Sequence, residues 1–133
     1  MMKRILIIIA VVAIIFTGCS IMNNKEPDTK DTIYKKISAE DAKVIIDSED
    51  VIILDVRTQE EYNGGHIENA VLLPVTDIKD KAGEILTDKD AKILVYCRSG
   101  NRSSAASKEL ISMGYTNVYD FGGIISWPYE VVK

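Results

Sequence analysis

The most informative segment of the sequence is KILVYCRSGNRSSAAS, residues 92–107, in which an apolar run ends at Cys97 and a loop with one glycine and two arginines follows. The apolar residues 93–96 predict a strand buried on both faces, because parallel strands covered by helices are continuously hydrophobic. Apolar residues then recur at helical spacing and predict a helix over about 103–113. The thiol therefore lies between a buried strand and a helix.

Short apolar runs alternate with helical patterns on both sides of this stretch. Further strands are predicted at residues 34–37, 51–54, 71–73 and 118–119. Capping patterns predict helices after Ser38 and Thr58, and a helix interrupted at Gly83 is predicted over 78–86. Strands that alternate with helices form βαβ units. The sequence therefore predicts an α/β fold with a mostly parallel central sheet flanked by helices on both faces.

The N-terminal segment differs in composition from the rest of the chain. Lys3 and Arg4 precede an unbroken apolar run over residues 5–16, and small residues follow before Cys19. This run is shorter than the roughly 20 residues that a helix needs to cross a bilayer. The pattern therefore favours a cleaved export signal, residues 1–18, over a transmembrane anchor.

Residues 16–19, Phe-Thr-Gly-Cys, resemble the lipobox of bacterial lipoproteins, although that motif usually has leucine where Phe16 stands. The resemblance implies that Cys19 is lipidated, with palmitate or a similar acyl chain, and begins the mature protein. Two or more acyl chains hold a protein stably on a membrane. We therefore expect residues 19–31 to be a lipidated tether and residues 32–133 to be a folded domain outside the cytoplasm. Ordinary cleavage that leaves Cys19 as a free thiol, and a retained anchor, are the alternatives.

Composition limits the class of function. The chain has 133 residues, of which 47% are hydrophobic, and this suits one ordinary folded domain. Its formal net charge is −4. Loss of residues 1–18 would remove two positive charges and make the net charge more negative. This balance disfavours binding to nucleic acid. We expect a monomer that needs no cofactor, and no metal, since the sequence has no cluster of cysteine or histidine.

The surroundings of Cys97 favour a reactive thiol. The predicted position is the carboxyl edge of a parallel sheet, where α/β proteins bind ligands. A helix N-terminus and nearby positive charges lower the pKa of a thiol. Backbone N–H groups around Gly100 can surround an anion, and Arg98 and Arg102 add positive charge. A lone cysteine is more often an inert buried side chain, but the loop and helix together favour a nucleophile.

The loop Cys-Arg-Ser-Gly-Asn-Arg-Ser, residues 97–103, resembles the active-site loop of single-domain rhodaneses. Other segments resemble further motifs of the same family: residues 51–57 with Glu61 and Tyr62, residues 65–70 and residues 122–127. The resemblance departs at Asn69, where the family usually has glycine, but asparagine also tolerates a positive φ. A rhodanese-like fold is therefore implied.

The resemblance implies a thiosulfate sulfurtransferase. Cys97 would take a sulfane sulfur from a small anionic donor such as thiosulfate, hold it as a persulfide and pass it to a thiol or another thiophilic acceptor. Loop N–H groups would stabilise the thiolate or persulfide, while Arg102, together with Arg98, would orient the donor. The candidate catalytic residue is Cys97, and the candidate anion-binding residues are Arg98, Ser99, Gly100, Asn101, Arg102 and Ser103.

Other functions remain open at this point. Rhodanese-like folds also serve cysteine phosphatases and arsenate reductases, but these use a longer loop than the four residues that separate Cys97 from Arg102. The shorter loop favours sulfur transfer. A non-catalytic module that binds or senses partners at the membrane is a second alternative. Redox signalling through an exported thiol is a third.

The remaining polar residues near the motifs are expected to be structural. His66 is the only histidine, and a Cys-His protease would need it beside Cys97, whereas the resemblance assigns it to a structural segment. Asp55 and Arg57 are expected to organise the adjacent loops. Arg57 and Glu61 are four residues apart and are predicted to pair across one helical turn.

Overall fold

A parallel sheet of five strands forms the centre of the computed structural model, which describes residues 34–133. The strands are β1 (Lys35–Lys36), β2 (Ile52–Asp55), β3 (Val71–Leu72), β4 (Ile93–Cys97) and β5 (Val118–Gly123). All neighbouring strands are parallel, in the order β1-β5-β4-β2-β3. The predicted α/β fold is confirmed. The predicted signal peptide, Cys19 and the tether lie outside the described residues.

Helices connect the strands. They are α1 (Ala39–Ser48), α2 (Gln59–Gly64), α3 (Ile78–Ile85) and α4 (Asn101–Ser112), with short 3-10 turns at Val75–Asp77 and Ile124–Ser126. The side chains of Ser38 and Thr58 accept hydrogen bonds from the N–H groups of Asp41 and Glu61, so α1 and α2 begin at the predicted caps. Within residues 34–133 no helix has the length and apolar composition required to cross a bilayer.

Two predicted boundaries and one predicted interruption are wrong. α3 continues through Gly83, because its buried Ile78 and Ala82 hold the helix on the core and one glycine costs a helix only about 1 kcal/mol. α4 begins at Asn101 and not near residue 103. β5 continues past residue 119 to Gly123, since its last residues pair with the end of β4. The last two differences change the description of the loop, because Asn101 and the two residues after it belong to the first helical turn.

The side chains of β4 alternate between the two faces of the sheet. Ile93, Val95 and Cys97 pack on the face covered by α3 and α4. Leu94 and Tyr96 pack on the opposite face, which α1 covers. All five side chains are at most 1% exposed, so the strand is buried on both faces as predicted. The thiol of Cys97 therefore faces the α4 side of the sheet.

The chain leaves the two central strands in opposite directions. β2 leads to β3 on one side of the sheet, and β4 leads to β5 on the other. Where the direction of winding reverses, the diverging loops leave a crevice at the carboxyl edge of the sheet. Arg57 follows β2 and Arg98 follows β4, and both line one cleft at this edge.

The loop after β4 packs directly on β5. Gly123 is the sheet partner of Cys97, and the carbonyl oxygen of Arg98 accepts a hydrogen bond from the N–H of Ile125 at 3.3 Å. A Cβ atom at Gly123 would overlap that carbonyl oxygen and lie 2.7 Å from the Cα of Ser99. Only glycine therefore fits at this position.

We expect Gly123→Ala to lower the free energy of unfolding by about 3 kcal/mol or more, because backbone atoms of the loop would have to move. Gly83→Ala is the matched control. It adds a methyl group to open space on α3 and should raise the free energy of unfolding by about 0.5–1 kcal/mol. Urea denaturation of both variants measures the two effects. Equal stability of Gly123→Ala and the wild type would contradict the close contact.

Candidate active site

The sulfur of Cys97 lies inside a ring of hydrogen-bond donors. The side chain is 1% exposed, and the N–H of Gly100 donates to Sγ at 3.0 Å. Gly100 has a φ of 106°, a conformation that glycine adopts without strain and that directs its N–H toward the sulfur. The N–H groups of Ser99 and Ser103 also stabilise the charged sulfur. The loop and the free N–H groups of the first turn of α4 thus surround one atom.

The pKa of the Cys97 thiol is lowered. Burial alone raises this pKa, because the thiolate loses water. Hydrogen bonds from the hydroxyl and N–H of Ser103, and from the N–H groups of Gly100 and Ser99, outweigh the burial. The main stabilisation therefore comes from hydrogen bonds and not from arginine charges. Cys97 has a larger thiolate fraction at neutral pH than an ordinary cysteine.

The hydroxyl of Ser103 can serve more than one acceptor. Its Oγ lies 3.0 Å from the carbonyl oxygen of Gly100 and 3.4 Å from that of Gly122. A hydroxyl has a single proton and donates it in one direction at a time. A hydrogen bond to a charged acceptor is stronger than one to a neutral carbonyl. Ionisation of Cys97 therefore favours rotation of this hydroxyl toward the sulfur.

Arg102 is held by Glu61 of α2. Its Nη1 and Nη2 atoms donate to the two carboxylate oxygens at 2.7 and 2.9 Å, which makes the pair bidentate. The hydrogen bond from Arg102 lowers the pKa of Glu61 to about 2, so the carboxylate is ionised throughout the physiological range. The predicted pairing of Glu61 with Arg57 is wrong, because Glu61 faces α4. The guanidinium of Arg102 thus joins two helices and is already neutralised.

Arg57 instead pairs with Asp55. The guanidinium donates to both carboxylate oxygens, at 3.0 Å from Nε and 2.7 Å from Nη2, and its Nη2 also donates to the carbonyl oxygen of Gly65 at 2.7 Å. The Tyr96 hydroxyl donates to Asp55 at 2.6 Å. Burial and this carboxylate raise the pKa of Tyr96. Asp55 is fully buried and Arg57 is 5% exposed, so the pair organises the loops, as expected, and is not an exposed acid.

His66 takes part in a separate contact. Its Nδ1 lies 2.9 Å from the carbonyl oxygen of Tyr62, and its ring stacks on the Tyr62 ring with centroids 3.7 Å apart. Its backbone pairs with Val132. Its ring is held by these neighbours, and in residues 34–133 no hydrogen bond joins it to Cys97. The pairing that a Cys-His protease requires is not formed in this part of the chain.

A cleft of about 490 Å³ opens beside the loop. Its charged lining residues include Arg57, Glu61 and Arg98, of which the first two are paired as described above. Arg98 is exposed, and its guanidinium makes no ion pair with any described residue. The apolar wall consists of Ile124, Ile125, Trp127, Tyr129 and Val131. A larger cleft of about 640 Å³, which Trp127 also lines, contains no residue of the Cys97 loop.

Sequence reasoning missed three features of this site. Tyr96 was predicted only as part of a buried strand, and nothing in the sequence indicated that its hydroxyl donates a hydrogen bond to Asp55. Glu61 was predicted to pair with Arg57, whereas its partner is Arg102. Gly123 carried a usable signal, because paired glycines inside a strand often mark a close approach of backbone. The first two features depend on contacts between residues 41 positions apart.

We expect the alkylation rate of Cys97 by iodoacetamide to reach half its maximum at a pH below the ordinary pKa of a cysteine thiol. Ser103→Ala removes one donor to the thiolate, so its profile should move to higher pH and its rate at pH 7 should fall roughly tenfold. Ser107→Ala is the control, because the Ser107 hydroxyl is buried in the same helix without a hydrogen-bond partner. Superimposable profiles of Ser103→Ala and wild type would contradict the assigned role.

The sequence is similar to proteins of one known family. The sequence profile of the rhodanese-like domain matches residues 38–128. The chain is 35% identical over 80 residues to thiosulfate sulfurtransferase PspE of Escherichia coli, an alignment that covers 60% of this chain and 77% of the relative. It is 42% identical over 84 residues to a sulfurtransferase of Allochromatium vinosum, with 62% and 77% covered.

Comparison with a solved structure also indicates a rhodanese-like fold. The rhodanese-related protein of Thermoplasma volcanium aligns with a TM-score of 0.65 and 35% sequence identity, over 74% of this chain and 98% of that one. The matched family region contains β2, the Cys97 loop and the glycine pair of β5. These parts build the site described above, and this chain belongs to the rhodanese-like domain family.

Proposed function

We propose that the protein is a sulfurtransferase that moves a sulfane sulfur from an anionic donor such as thiosulfate to a thiophilic acceptor. The observation that carries the proposal is the buried thiol of Cys97, which lies inside a ring of N–H donors and has a lowered pKa. The relatives named sulfurtransferases support the same reaction. The reaction proceeds in two steps through one covalent intermediate.

In the first step the Cys97 thiolate attacks the sulfane sulfur of thiosulfate. A new S–S bond forms, the S–S bond of thiosulfate breaks, and sulfite leaves with the electron pair. Cys97 then carries a persulfide whose outer sulfur lies about 2 Å beyond Sγ. In the second step the acceptor attacks that outer sulfur, and the bonding pair returns to Sγ as the thiolate. No external oxidant or reductant is consumed.

The ring of donors stabilises negative charge on the sulfur at both ends of this cycle. The N–H groups of Ser99, Gly100 and Ser103 are fixed by the loop and by α4, so they need no reorganisation during the reaction. The donor has to be attracted by a charge that is still unpaired. Arg98 has that property, whereas Arg102 is neutralised by Glu61. Arg98 therefore orients the anionic donor, and Arg102 positions the loop.

Sulfur loading of Cys97 tests the reaction. We expect the purified protein to gain one sulfur atom after incubation with thiosulfate, as measured by intact mass, and to lose it when cyanide is added and thiocyanate forms. Cys97→Ala should gain no sulfur. Hydrolysis of an aryl phosphate without sulfur loading would favour a phosphatase. The absence of both reactions would favour a non-catalytic binding module.

We further propose that a lipid on Cys19 tethers the domain to the cell membrane, outside the cytoplasm. The support is in the sequence: the basic and apolar N-terminal segment and the lipobox-like residues 16–19. Lipidation would leave Cys97 as the only free thiol of the mature chain. The thiol would then act in a compartment that tolerates disulfides, with no second cysteine in its own chain to trap it.

Metabolic labelling tests the tether. In bacteria grown with an alkyne analogue of palmitate, the wild type should become labelled and sediment with membranes. Cys19→Ser should lose the label, whereas Cys97→Ala, which removes the other cysteine, should keep it. Label that persists in Cys19→Ser, or an unlabelled wild type, would contradict lipidation.

A further inference from the structure

The register between β4 and β5 shifts just before the Cys97 loop. Val95 pairs with Asp120. Cys97, two residues later, pairs with Gly123, which is three residues after Asp120. β5 therefore has one residue more than β4 over this stretch, which makes a β-bulge, and bulges often occur beside active sites, where they redirect the backbone. Gly122 lies inside the bulge with a φ of 87°, which glycine adopts without strain.

The side chain of Asp120 holds the bulge. Its Oδ1 accepts a hydrogen bond from the N–H of Gly122 at 2.9 Å. A bulge interrupts the regular ladder of a sheet, and a buried N–H without a partner costs about as much free energy as a lost hydrogen bond. The carboxylate therefore supplies an acceptor at the irregular point of the strand.

Asp120 is itself fixed by the sheet on both sides. It pairs with Val95 of β4, and its carbonyl oxygen accepts a hydrogen bond from the N–H of Ile37 at 3.0 Å. The residue is only 4% exposed. No ion pair within residues 34–133 involves Asp120, although Lys36 is its sheet partner in β1. Acidic residues are seldom buried without a cation, so the hydrogen bond to Gly122 is the interaction that accounts for this residue.

The bulge supports the residues that surround the sulfur. A Cβ atom placed at Gly100 would lie 3.6 Å from the Cα of Gly122, so the two glycine backbones are in close contact. Gly100 is the residue whose N–H donates to Sγ of Cys97. The carbonyl oxygen of Gly122 also lies 3.4 Å from the hydroxyl oxygen of Ser103. A displacement of Gly122 would therefore reach both Gly100 and Ser103.

We propose that Asp120 is a positioning residue for Cys97. Its carboxylate fixes the bulge at Gly122, and the bulge keeps Gly100 and Ser103 in place beside the sulfur. The inference deepens the proposed sulfur transfer, because it identifies a residue that sets the reactivity of the thiol. It can be tested without sulfur transfer, since alkylation requires only the thiolate.

Alkylation by iodoacetamide over a range of pH measures the effect. In Asp120→Ala the N–H of Gly122 loses its acceptor, the bulge relaxes and the donors no longer converge on the thiolate. We expect the profile to move to higher pH and the rate at pH 7 to fall about fivefold, the effect of one hydrogen bond. Asp120→Asn should keep the profile of the wild type, because the amide oxygen can accept the same hydrogen bond. Asp120→Ser, which has a weaker acceptor, should lie between the two.

Two controls separate reactivity from stability. Asp88→Ala removes an equivalent hydrogen bond, from the N–H of Asp90 at 2.9 Å, in the exposed loop before β4 at the amino edge of the sheet. Tyr115→Phe removes a buried hydroxyl that lies 3.0 and 2.6 Å from the carbonyl oxygens of Ala82 and Leu86, and should lower stability. Both variants should keep the alkylation profile of the wild type. Urea denaturation identifies conditions in which each variant is folded.

Superimposable profiles of folded Asp120→Ala and the wild type would overturn the inference. A profile of Asp120→Asn that matches Asp120→Ala would also overturn it, because the acceptor would then have no effect. A profile of Asp120→Asn at lower pH than that of the wild type would do the same, since the carboxylate would then act on the thiolate through its charge. If Asp120→Ala does not fold, equal profiles of Asp120→Ser and the wild type are the contradicting result.

Sulfur loading provides a second measurement. We expect the rate at which thiosulfate loads Cys97 at pH 7 to fall in Asp120→Ala by the same factor as the alkylation rate. A loading rate that stays at the wild-type value while alkylation slows would contradict the link between Asp120 and the reaction. Failure of the wild type to take up sulfur is a separate result, which contradicts the proposed function and leaves the alkylation comparison to decide on Asp120.

Discussion

The contact between the Cys97 loop and β5 is the constraint on which the rest of the site depends. The carbonyl oxygen of Arg98 and the Cα of Ser99 occupy the space that a side chain at Gly123 would need. With its first residues fixed in this way, the loop turns at Gly100 and directs successive N–H groups at one sulfur atom. A small displacement of this backbone would separate several donors from the sulfur at once.

The arginines around the crevice have different roles because their neighbours differ. Arg57 is buried with Asp55 and fixes the loop after β2, and Arg102 is held by Glu61 and fixes α4 against α2. Arg98 is exposed and forms no ion pair with the described residues, and for this reason the proposed reaction assigns it to the anionic donor. The proposed anion site therefore uses N–H groups and the one arginine of the described cleft without an ion-pair partner, which is compatible with the acidic composition of the protein.

The strands and helices could be predicted largely from local patterns. The continuous apolar run of β4 and the caps at Ser38 and Thr58 specify elements whose partners lie within a few residues. Asn69 adopts a φ of 66°, so the backbone there is compatible with asparagine in place of glycine, as expected. Two of the three errors lie at the end of β5 and the start of α4, because those boundaries depend on contact between the two elements.

Local sequence is sufficient to specify the strand, the thiol and the glycine-containing turn, since these residues are adjacent and their spacing limits what they can form. The carboxylate that each arginine meets depends instead on how the helices and strands pack. Glu61 was four residues from Arg57 and was assigned to it, yet the fold turned Glu61 toward Arg102, which is 41 residues away. Local spacing makes a contact possible, but an ion pair forms where packing brings two helices together, and that depends on the whole core.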